Sequence, residues 1–171
     1  MNLSEMRFPR QLEADGTAGI VRQALMARTV ELWSGGDLHV SVITMSGPLT
    51  KMLRAANLNG HIRCGFEAIS DKLEKEQMGI ARVRERKGAP YGDRVSRLLL
   101  FSNDGAERFC RHIEHLIQSH APRLLGCLLD IDGWTLGSLI TNEDRVIKVI
   151  MVEHKEVVSG VLRTIATGQG S

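Results

Sequence analysis

Apolar and polar positions along this chain recur in two registers, one suited to helices and the other to strands. Residues 1–16, MNLSEMRFPRQLEADG, follow neither and predict an irregular arm. From Thr17, the apolar positions Ile20, Val21, Ala24 and Leu25 share one helical face. Two β-rich runs, Thr29–Trp33 and Leu38–Met45, then flank Ser34-Gly35-Gly36-Asp37, a pattern that predicts a hairpin. Leu38, Val40 and Val42 alternate with His39, Ser41 and Ile43, as in a strand with one buried face. Pro48 suits the first turn of a helix carrying Leu49, Met52, Leu53 and Ala56, with Asn57 and Gly60 as its stop.

Phe66, Ile69 and Leu73 suggest a short helix beyond that. Residues 82–97, RVRERKGAPYGDRVSR, hold six Arg or Lys against two acids, with Gly88, Pro90 and Gly92, and predict a mobile basic loop. Val95–Phe101 reads as a strand buried on both faces. Ser102-Asn103-Asp104-Gly105 reads as the cap of a helix running to Ser119. Leu124–Ile131, Trp134–Thr141 and Val146–Val152 read as three successive strands, and residues 154–167 as a terminal helix.

This order predicts an α+β fold: one mixed, largely antiparallel sheet with helices mainly on one face, a three-layer α/β sandwich being the alternative. The division is an arm over 1–16 and a single α+β domain over 17–171, with the basic loop at 82–97.

Composition narrows the function classes without selecting one. The apolar fraction of 43% and charged fraction of 25% are ordinary for a globular domain, so the chain can build its own core. A net charge of +2 argues against nucleic acid as a partner. The three cysteines, Cys64, Cys110 and Cys127, match no zinc or redox spacing and sit among apolar neighbours, as buried reduced thiols do. The opening residues lack an apolar stretch of signal-peptide length, and no run approaches the ~20 apolar residues that cross a bilayer. A cytoplasmic protein with no membrane role is the expectation.

The sharpest string is Leu128-Leu129-Asp130-Ile131-Asp132-Gly133-Trp134-Thr135-Leu136. An apolar strand ending in Asp-x-Asp-Gly resembles the first motif of haloacid dehalogenase-type phosphatases. The resemblance implies Asp130 as nucleophile, Asp132 as general acid and Mg²⁺ beside them. Leu98–Asn103 resembles the second motif of that family, a strand ending in Ser/Thr-Asn. Here, however, it precedes the first motif, and Trp134 stands between Gly133 and Thr135. Residues 106–140 also resemble roadblock-type domains, in which helix, apolar strand, Asp-x-Asp-Gly and second strand follow in turn. That resemblance implies a non-catalytic dimerising module. The plainest reading of Asp130-Ile131-Asp132-Gly133 is a hairpin turn between apolar runs, with Gly133 at positive φ.

The remaining polar groups have ordinary explanations. His112 and His115 are helical neighbours able to share a metal, but with Arg108 and Ser119 they form one polar stripe opposite Phe109, Ile113 and Leu116. His120 suits a helix end. The loops Ser34–Asp37 and Ser102–Gly105 are the anion-binding candidates, the second because it precedes a helix. Tyr91 within the basic loop could stack on a base, with Arg94 and Arg97 on phosphates. The ligand-binding candidates are therefore Ser102, Asn103, Asp104, Gly105, Arg94 and Arg97.

No complete catalytic or metal-ligand set emerges, so no cofactor is expected. The leading expectation is a non-catalytic regulatory or assembly domain acting through protein–protein contact, a homo-oligomer with a protein partner. The alternatives are a Mg²⁺-dependent phosphoryl-handling enzyme using Asp130 and Asp132, and a nucleotide or nucleic-acid binder working through 82–97.

Overall fold

The computed structural model describes residues 3–87 and 93–168, with the side chain of Lys87 left aside. Among the described residues, seven α-helices and a six-stranded mixed sheet make an α+β fold. The strands are β1 (Thr29–Glu31), β2 (His39–Ile43), β3 (Ile62–Cys64), β4 (Arg97–Phe101), β5 (Leu124–Leu129) and β6 (Val149–Val152). They lie in the order β1-β2-β5-β4-β6-β3. β2, β5 and β4 are parallel, whereas β1 pairs with β2, β6 with β4 and β3 with β6 antiparallel.

The helices are α1 (Arg10–Ala14), α2 (Ala18–Met26), α3 (Gly47–Leu58), α4 (Phe66–Lys87), α5 (Glu107–Ser119), α6 (Gly133–Thr141) and α7 (Lys155–Gly168). Most of them cover one sheet face. Leu12, Val21, Leu25, Leu49, Leu53, Leu136, Ile140, Val161 and Leu162 pack there on Leu98, Leu100, Leu125, Cys127 and Leu129. α4 and α5 cover the other face, with Ile69, Leu73, Ile113, Leu116 and Ile117 against Leu99, Phe101 and Met151. The period-two alternation of Leu98-Leu99-Leu100-Phe101 between the two cores is what a strand buried on both sides requires.

Several elements follow their sequence signals. Ser46 caps α3 by accepting from the Leu49 amide (3.2 Å), Pro48 sits in its first turn, and Gly60 after its end takes φ +75°. The hairpin β1–β2 forms as expected, although both faces of β2 are covered: Val40, Ser41, Val42 and Ile43 are all buried. Its connecting loop is latched to α5, where buried Glu114 accepts from Trp33 Nε1 and the Leu38 amide, both at 2.9 Å. Arg111 lies over the Trp33 ring, 4.2 Å from its centroid.

Other expectations need correction. Residues 134–141, read as a strand, belong to α6, so Asp130-Ile131-Asp132-Gly133 is a strand-to-helix junction, not a hairpin turn. Asp132 is the N-cap, and Gly133 opens the helix without a positive φ. Residues 82–87, read as the start of a basic loop, continue α4, because Arg, Glu and Lys favour helix and no Gly or Pro stands between Gly79 and Gly88. Gly88, Pro90, Tyr91 and Gly92 lie outside the described residues. Ser102–Gly105 does not cap α5 through a side chain; its N-cap is Ala106, with no side-chain bond. Within the expected arm, Arg10–Ala14 is helical and Met6, Phe8 and Leu12 are buried in the main core. Among the described residues no helix is long and apolar enough to cross a membrane.

Candidate functional site at the carboxyl edge of the parallel strands

Adjacent parallel strands β4 and β5 send their following chains to opposite faces. The loop after β4 leads to α5 on one side, and the loop after β5 leads to α6 on the other. Such divergence opens the crevice in which ligands of open α/β sheets bind. Of the residues singled out in the sequence, Asn103, Asp104, Asp130 and Asp132 are exposed on the two loops at this edge, and Ser102 is buried at the end of β4.

The two loops are stitched together. The Asn103 amide donates to the Ile131 carbonyl (2.8 Å), and its side chain donates to Asp130 Oδ1 (3.3 Å). Arg28, at the start of β1, lies 3.5 Å from the other Asp130 oxygen. The backbone of Asp130 is fixed by its amide donating to Ile43 at the end of β2 (2.9 Å). Asp104 Oδ1 accepts from the Ser102 hydroxyl (2.7 Å) and the Gly133 amide (3.1 Å). Asp104 therefore serves the first amide of α6 and not the helix that follows it in sequence. Asp132 accepts from the Thr135 amide (2.7 Å), and bonds from Thr135 hold its carboxyl below the ordinary range.

The basic candidates do not join this group. Arg94 and Arg97 lie at the amino end of β4, opposite the crevice. Arg94 donates to the Phe8 carbonyl (2.9 Å) and pairs with Glu13 (2.9 Å), while Arg97 pairs with Glu76 (2.7 Å). Both guanidiniums thus have internal partners and stand apart from Ser102, Asn103 and Asp104. Gly105 sits against Phe109, leaving no room for a side chain.

The histidine stripe is solvent-facing: His112, His115 and Ser119 are exposed, His112 stacking on Phe66 at 5.7 Å between centroids. Half-buried His120 ends α5, and burial lowers its pKa. Cys127 is fully buried, and burial pushes its thiol up to about 12; Cys64 and Cys110 are half-buried with thiols raised chiefly by burial. All three are free.

Sequence reasoning missed Arg28, Arg145 and Lys148. Lys148 precedes β6, its ammonium 3.4 Å from the Asp104 carbonyl and 3.9 Å from its carboxylate. A single cation beside a strand carries no local signal, since its partner is 44 residues away. Among the described residues, no three His, Cys, Asp or Glu side chains converge as a metal-ligand group. No family model matches this chain, and no curated protein matches it.

Proposed function

We propose that this chain is a non-catalytic regulatory or assembly domain of the cytoplasm that acts through protein–protein contact as a homodimer. One observation carries the reading: the carboxylates that phosphoryl chemistry would need already serve the fold. Asp132 caps α6, and Asp130 ties the β5 loop to Asn103 and Arg28. The contact is assigned to β1, an edge strand whose three residues are all exposed, Val30 included. Such an edge presents unpaired backbone groups, and a second copy can continue the sheet across a two-fold axis.

The phosphoryl-handling alternative keeps one specific support, the placement of Ser102-Asn103 beside Asp130 on adjacent parallel strands. Two measurements separate the readings. Wild type sediments as a dimer, Val30→Lys as a folded monomer, and neither releases phosphate from p-nitrophenyl phosphate with Mg²⁺. A monomeric wild type at about 100 μM, or turnover lost in Asp130→Asn, refutes the proposal.

A further inference from the structure

The chain leaving α6 returns to the sheet through residues 145–148, and its path is set by two glycines. The Ile147 amide donates to the Gly133 carbonyl (2.9 Å), and at Gly137 a Cβ would stand 1.6 Å from the Arg145 carbonyl oxygen. The segment therefore lies directly on α6, one helical turn along from its start. This holds Arg145 and Lys148 at one mouth, beside the crevice between β4 and β5.

Behind that mouth is a cavity of about 200 Å³ between the starts of β6 and α4. Phe66, Phe109, Ile147 and Val149 give it apolar walls, with the half-buried Cys64 on one side. Among the described residues, the charged side chains lining it are Arg145 and Lys148, and no acid lines it. Arg145 is exposed and makes no hydrogen bond or ion pair among the described residues, and its charge reaches Cys64. Lys148 is held only by long contacts, its ammonium 3.4 Å from the Asp104 carbonyl and 3.9 Å from Asp104 Oδ2. An apolar cavity of about 150 Å³ accommodates benzene, so this volume takes one ring and a small substituent.

We infer that the cavity binds a small organic anion, with a ring-sized apolar body against Phe66 and Phe109 and its carboxylate or phosphate between Arg145 and Lys148. Charge-assisted bonds from two cations at an apolar mouth fix orientation, while the walls select against fully hydrated ions. The site is independent of the proposed dimer edge, since β1 and β3 close opposite ends of the sheet.

The test follows alkylation of Cys64 by iodoacetamide, mapped by peptide mass spectrometry. Cys110, which does not line the cavity, is the internal control. Benzoate and phenyl phosphate should each slow Cys64 labelling saturably, at least about fivefold, without changing Cys110. Protection by one of the two anions alone also supports the site and names the preferred group. Arg145→Gln/Lys148→Gln should abolish the protection ratio while retaining the wild-type circular dichroism and melt. Equal protection by benzyl alcohol or inorganic phosphate, protection retained in the double variant, or protection by neither organic anion overturns the inference. If the double variant unfolds, Arg145→Gln alone, which changes no internal bond, replaces it under the same criteria.

Discussion

At the scale of the residue, absent side chains matter most beside the candidate site. Gly137 is required because the chain at Arg145 crosses α6 with no space for even a methyl group: the added carbon would lie 1.6 Å from a backbone oxygen. Gly126 is crowded differently, by a side chain and not by backbone: its Cβ would fall 2.2 Å from Cδ1 and 2.9 Å from Cγ1 of Ile117. Gly137→Ala should therefore cost about 3 kcal/mol, the upper end of overpacking, and Gly126→Ala about 1 kcal/mol, both by urea denaturation. Equal losses would show that the 145–148 segment is not clamped. Gly133 needs neither argument from φ nor a turn; it is tight because an added Cβ would stand 3.1–3.2 Å from Lys148 Cγ, the Ile147 carbonyl oxygen and Val146 Cγ1.

At the scale of the element, Asp132 decides how the chain leaves β5. Its carboxylate, held below the usual range by Thr135, stabilises the first turn of α6 above the unfolded carboxyl pKa. That contribution is lost as pH falls through the lower, folded value. Asp132→Ala should lower the melting temperature at pH 7, Asp132→Asn should retain most of it because Asn also caps, and the wild type–Ala gap should narrow in acid. Equal losses in both variants would rule out the cap. The cap was readable as a residue type, but Trp134, Thr135, Ile140 and Thr141 favour strand, and the short apolar run fits either period. The helix wins because Leu136, Gly137 and Ile140 fall on one buried face against the main core. α4 was underread for the opposite reason: beyond Leu73 its apolar anchors thin out, and charged residues of high helix propensity resemble a solvated loop. The hairpin, α3, β4 and α5 were legible because apolar period and bounding turn residues agree there, although the cap expected for α5 is not made. The site was half legible. Its acidic and amide residues sit in recognisable strings, whereas Arg28, Arg145 and Lys148 are brought in only by sheet order.

At the scale of the whole molecule, the two ends of the parallel strands do different work. The carboxyl end carries the crevice and cavity; the amino end is pinned by charge. Glu76 of α4 pairs with Arg97 at the start of β4 (2.7 Å) and with Arg123 just before β5, all three largely shielded from water. This cluster ties the α4–α5 layer to the sheet. Burial alone would raise the Glu76 pKa, but hydrogen bonds and charge from both arginines outweigh it and hold the carboxyl below its ordinary value of 4.5. A depressed folded pKa stabilises the protein above the unfolded value and ceases to do so as pH falls through the folded one. Glu76→Gln should thus cost about 1–3 kcal/mol at pH 7, because two shielded guanidiniums lose their charged acceptor. The difference from wild type should shrink progressively below about pH 4.5 in paired urea titrations. A constant difference across that range would mean that Glu76 acts through packing and not charge. Because the cluster lies at the far end of β4 from Cys64, protection of that thiol by benzoate should be unchanged in Glu76→Gln. Loss of protection there would mean that the two ends of the sheet are coupled through α4, which begins at the cavity and carries Glu76 along its length.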